Sequence, residues 1–157
     1  MSDTQALAQN SAAAPAAGAQ PDKNCSCPRR KVAIDLKYLR FRHPGNVGHS
    51  WFERGNQSLG WYPSAQSWRI GALTSTTGAV NRGKVQDEHH GDTPDRYYDL
   101  YTRDGDCRTD DEIFACLRNY YYGKQARGER YSIAHWEMCH TVADAATAHC
   151  KVTQQQR

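Results

Sequence analysis

The chain has 157 residues, 38% of them hydrophobic, with a formal net charge of +3 and a mean hydropathy of −0.87. That length suits one domain with a modest core, and no apolar run approaches the roughly 20 residues of a membrane helix. The charge argues against a nucleic-acid binder: Lys23, Arg29, Arg30 and Lys31 face only Asp3 and Asp22 in the first 31 residues, and later bases such as Arg69, Arg82, Lys84, Arg96 and Arg103 are scattered among acids instead of forming a stripe.

Residues 1–30 are expected to be a disordered leader or linker. AAAPAAGAQP is uncharged and lacks a helical period. The opening MSDTQALAQNSAAAPAAGAQ has neither the basic start nor the apolar core of a Sec-type signal. Cys25 and Cys27, one residue apart, are poor zinc geometry and read more simply as a disulfide tether to the body. From residue 31 KVAIDLKYLRF alternates, with Val32, Ile34 and Leu36 on one face, which predicts a strand. His43-Pro44-Gly45-Asn46 is a turn. VGHSWFE and SLGWYP, joined by RGNQ, predict a hairpin. Residues 64–95 read as a long loop with a short strand around Gly83–Gln86, and its acids, Asp87, Glu88, Asp92 and Asp95, as solvated. YYDLYT is a further strand. Thr109 or Asp110 caps a helix with acids in its first turn, ending at Gly123. Residues 130–133 lead into a last helix over about 138–150. The domain, 31–157, is therefore expected to be α+β.

Cys139 sits near the start of that last helix, where unpaired N–H groups and the helix dipole favour negative charge. A thiolate is the reactive form of cysteine, and it needs a base within reach. His49, mid-strand between the small residues Gly48 and Ser50, is a candidate base. The bland readings stand beside this one. Six cysteines and seven histidines make some such pair inevitable. A Cys139–Cys150 bridge would span about 16 Å on one continuous helix, beyond the roughly 7 Å reach of a disulfide. Cys107–Cys116, or Cys25 or Cys27 with Cys150, are open pairings. His135, Cys139, His140, His149, Cys150 and His89-His90 raise zinc, yet no second tight pair has ligand spacing, and no metal or cofactor is assigned. Trp51, Trp61, Tyr62 and Trp68 would line a groove for a flat or sugar-bearing substrate, or simply pack the hairpin on helices. His140, next to Cys139, would polarise the site or pack beside it.

VGHSWFERGNQSLGWYP followed by YSIAHWEMCHTVADAA resembles the circularly permuted papain-like hydrolases, relatives of the NlpC-type peptidases and of lecithin-retinol acyltransferase. In that group a strand with a Gly-His pair comes first and the nucleophile opens a helix near the C-terminus. The likeness spans about residues 31–150. It implies an antiparallel sheet with the nucleophile helix packed on it, Cys139 as nucleophile, His49 as general base, and acyl transfer through a thioester. Met138 stands where the group has Asn. The third polar residue, which holds the imidazole, usually lies on the next strand. A turn at Gly55-Asn56 puts Tyr62 opposite His49, so Tyr62, Ser64 or Gln57 would serve, whereas Glu53 lies about 13 Å along the strand. The implied activity is hydrolysis of amide bonds, most simply in peptidoglycan peptides. The leader and the paired cysteines resemble type VI secretion effectors acting in a rival's periplasm. An immunity protein and a secretion-apparatus component are then expected partners. The alternatives are a lipid acyl hydrolase or acyltransferase of the same fold, for which few contiguous aliphatics are present, and a non-catalytic binding or adaptor domain, with or without zinc, in which Cys139 is merely buried.

Overall fold

A computed structural model describes residues 27–40, 48–64, 76–132 and 138–157. Within them the chain is α+β: seven strands form one sheet whose pairings are all antiparallel, and two α-helices accompany it. The strands are β1 (Lys31–Leu39), β2 (His49–Arg54), β3 (Gln57–Pro63), β4 (Thr76–Val80), β5 (Arg96–Tyr101), β6 (Arg130–Tyr131) and β7 (Thr153–Gln156), in the order β6-β4-β3-β2-β1-β5-β7. The helices are α1 (Asp110–Ala126) and α2 (Cys139–His149). No helix among the described residues is long and apolar enough to cross a membrane.

Alternation builds the core as the sequence predicts. Val32, Ile34 and Leu36 of β1 are buried on one face. Phe52 pairs with Leu59 across the β2–β3 hairpin, and Trp61 follows two residues on. These side chains meet Ile113, Phe114, Leu117 and Tyr121 of α1 and Val142, Ala143 and Ala146 of α2. Tyr121 sits edge-on to both Phe52 and Trp61, at 5.9 and 6.5 Å. The hairpin turns on Gly55 and Asn56, with Arg54 opposite Gln57. Helix α1 starts in a capping box, in which Thr109 Oγ1 accepts from the Glu112 N–H and Glu112 Oε2 accepts from the Thr109 N–H. It runs through Gly123 rather than stopping there. The glycine that follows its end is Gly128, at φ 65°.

Four features depart from the sequence reading. First, the strand expected at 83–86 is absent. A strand lies earlier, at β4, and is followed by a left-handed turn at Asn81, Arg82 and Gly83. Second, β7 is an edge strand of TQQQ, whose polar residues carry no alternation to find. Third, the disulfides are Cys27–Cys107 and Cys116–Cys150. The antiparallel register of β1 and β5, with Lys31 opposite Tyr101, brings the segment before β1 beside the segment after β5, so Cys27 meets Cys107. Cys150 caps α2 and reaches across to α1. Fourth, residues 27–30 belong to the body: Cys27 O accepts from the Gly105 N–H, and the Arg30 N–H donates to Thr102 Oγ1. The expected leader before Cys27, with Cys25, lies outside the described residues, as do the turn at His43-Pro44-Gly45-Asn46, Trp68 and His135.

The second face of the hairpin positions the site. It carries His49, Trp51 and Glu53 from β2 and Ser58, Gly60 and Tyr62 from β3. The 81–95 segment folds over it. Asn81, buried at φ 52°, donates to the Ser58 and Val85 carbonyls and accepts from the Gly60 N–H. The Asp87 N–H donates to Ser58 Oγ, and the Gly91 N–H donates to Glu53 Oε2. Glu53 is also held by Lys37 Nζ at 2.9 Å and by Trp51 Nε1 at 3.0 Å.

Candidate active site

Helix α2 begins where β2 begins, and this juxtaposition creates the site. Thr141 Oγ1 accepts from the Met138 N–H at 3.0 Å, tying the first turn. Cys139 is the first helical residue. It is 1% exposed and is the unbridged cysteine among the described residues. Its sulfur faces the Gly48 carbonyl at 3.7 Å. Gly48 has φ 69°, and a Cβ there would fall 2.4 Å from Leu39 O. Only glycine lets β2 open this close to β1.

His49 is 3% exposed. Its Nε2 donates to Asp87 Oδ2 at 2.9 Å. The Cys139 sulfur, beside the Gly48 carbonyl that precedes His49 in the chain, also acts on this ring. The imidazole is walled by Tyr62, with ring centroids 4.4 Å apart, and by Trp51, nearly parallel at 5.7 Å. Burial alone would lower its pKa. The Asp87 carboxylate and the Cys139 sulfur overcome that and raise it from 6.5 to about 9. The ring is thus poised to hold a proton at neutral pH.

Asp87 is the residue that sequence reasoning missed. It was expected in solvent and is 2% exposed. Burial would raise its pKa, but hydrogen bonds from His49, from the His89 N–H and from the Tyr62 hydroxyl hold it below the usual carboxylate value. The carboxylate crosses β3 over Gly60, where a Cβ would lie 1.7 Å from Oδ2. A glycine inside a strand marks such a close approach, and that was the available signal. The role of holding the imidazole, offered to Tyr62, therefore falls to Asp87. Tyr62 sits opposite His49 as the turn implied, but its hydroxyl donates to Asp87 Oδ1 at 2.9 Å, and burial pushes its pKa far up. Ser64 and Gln57 do not contact the imidazole: Ser64 Oγ lies 3.4 Å from Thr76 Oγ1, and Gln57 is exposed at the turn.

The other expected site residues are placed as follows. Trp51 and Trp61 are both 0% exposed. Trp51 backs His49 and bonds Glu53, while Trp61 belongs to the core and lies across Gly78. Neither presents a surface to a ligand in this structure, because each fills one of the two hairpin faces. His140 points to β2, with Nδ1 hydrogen-bonded to Ser50 Oγ and its ring 4.8 Å from Tyr38. A second missed neighbour is Tyr131. It is buried on β6, and burial together with the Cys139 sulfur raises its pKa. The residues that raised zinc are dispersed: Cys150 is in a disulfide, His149 lies against Tyr120, and His89 pairs with Asp92. Among the described residues no group of three or more His, Cys, Asp or Glu side chains is arranged to hold a metal ion.

Cys139, His49 and Asp87 thus form a sulfur–imidazole–carboxylate series. The imidazole is oriented by Asp87, and the sulfur that acts on it stands at a helix N-terminus. Such a series can generate a thiolate, hold the proton it gives up and return that proton to a leaving group. Comparison with protein-family models, with curated proteins and with solved structures gives no match, so the reading of this site stands on its geometry and on the motif resemblance.

Proposed function

We propose that the chain is a cysteine hydrolase of amide bonds in the permuted papain-like manner, with Cys139 as nucleophile, His49 as base and acid, and Asp87 as the group that orients His49. The observation that carries this reading is the buried His49 imidazole, bonded to Asp87 through Nε2, with the Cys139 sulfur near enough to act on the ring. Catalysis would run as follows. The Cys139 thiolate attacks the amide carbon and a C–S bond forms. The first-turn N–H groups of α2 receive the oxyanion. Collapse breaks the C–N bond, and the departing amine takes the proton from His49. Water, deprotonated by His49, then hydrolyses the thioester and frees Cys139.

Peptidoglycan peptides are the proposed substrate, on the motif resemblance. Two disulfides suit an oxidising compartment such as a periplasm. Delivery as a type VI effector, with an immunity protein as its inhibitor, extends the same proposal. Purified sacculi incubated with the wild-type chain should release muropeptides that Cys139→Ala does not. Matching profiles from the two proteins would remove peptidoglycan as the substrate.

A further inference from the structure

Arg82 has no part in the chemistry above, yet the backbone makes an unusual effort to place it. It is the middle one of three consecutive residues at positive φ, 52° at Asn81, 53° at Arg82 and 75° at Gly83. An arginine in the left-handed region is strained. Such strain persists only where the surroundings impose it. Here the buried Asn81 side chain does so, through its bonds to β3 and to the Val85 carbonyl.

The result aims a cation at the site. The guanidinium stands 5.0 Å from the centre of the Tyr62 ring, and that ring packs on His49. Its charge also acts on Tyr131, on which the Cys139 sulfur acts as well. Arg82 is therefore one aromatic side chain away from His49. It is exposed. Its acidic neighbour is Glu88, at 3.7 Å, which is outside hydrogen-bond distance. Such a surface pair contributes little and leaves the planar fork of donors able to take a carboxylate in two-point fashion.

We propose that Arg82 is a specificity residue that binds a free carboxylate close to the scissile amide, so that the preferred substrates are carboxylate-bearing peptides. This rests on the cysteine hydrolase reading. It is distinct from a purely structural role in which Arg82 only covers Tyr62, because such a role is indifferent to the charge of the molecule that enters.

The test compares two alkylating probes on Cys139: N-iodoacetylglycine, which ends in a carboxylate, and its neutral carboxamide. Both react in the same way, with sulfur displacing iodide as the S–C bond forms and the C–I bond breaks. A Cys25→Ser background confines the readout to Cys139. The carboxylate probe should react faster, by about tenfold at low salt. The ratio should shrink as salt screens the pair, fall to about one in Arg82→Gln and survive in part in Arg82→Lys. Taking the ratio cancels any change in the sulfur itself. A ratio equal in the parent and in Arg82→Gln would overturn the role of Arg82 and leave the hydrolase reading standing. If neither probe labels Cys139, the hydrolase reading falls, and this proposal falls with it.

Discussion

A single glycine shows how closely the site is fitted. Gly60 has no side chain because the Asp87 carboxylate occupies the space, and a methyl there would also come 2.9 Å from His49 Nε2. Gly60→Ala should therefore displace Asp87. The expected outcome is a loss of about 1–3 kcal/mol in urea unfolding, from overpacking, together with slower alkylation of Cys139. Unchanged alkylation would show that the carboxylate is not needed where it is. Asp87→Asn tests the same contact without a steric change. Removing the charge beside His49 should lower the ring's pKa from about 9 by about one to three pH units, read from its NMR titration. Activity should drop by about 10²–10⁴-fold if the orienting role is right.

At the scale of elements, the account depends on α2 holding Cys139 against the start of β2. Packing of Val142, Ala143 and Ala146 fixes the helix along its length, and Cys116–Cys150 fixes its far end to α1. Replacing Cys116 and Cys150 by serine should cost about 2–4 kcal/mol in unfolding free energy, measured without reductant. No loss would mean that the packing alone suffices.

The same elements show what was legible in the sequence. The β1 strand, the β2–β3 hairpin with its Gly55-Asn56 turn, and the start of α1 announced themselves, because alternation and capping are local signals. Helix α2 was legible too, with Cys139 at its head and His49 on the hairpin as candidates. Asp87 was not. An acid in a loop looks solvated until the loop is known to fold back over β3, and that fold depends on Asn81 reaching Ser58 and Gly60, a contact across more than 20 residues. The disulfides were hidden for the same reason: their partners are 80 and 34 residues apart and are set by strand register and helix packing. Tyr131 was present in the quoted motif, but its two-residue strand gave no sign that it would be buried in the core.

For the whole molecule, the buried pair links stability to pH. His49 has a folded-state pKa of about 9 against 6.5 for the free side chain. A raised histidine stabilises the fold fully below 6.5, and that contribution is lost as pH rises through about 9. The difference corresponds to about 3 kcal/mol. Urea unfolding of the wild type should therefore show stability falling between about pH 6.5 and pH 9.5, with a flatter profile in Asp87→Asn. Equal slopes in the two proteins would place the titration elsewhere.

The most direct test of the central claim is the rate of iodoacetamide labelling at Cys139 at pH 7 with and without the imidazole. With His49 holding a proton beside the sulfur, labelling should slow by about 100-fold in His49→Ala. Equal labelling rates in the wild type and His49→Ala would contradict the account.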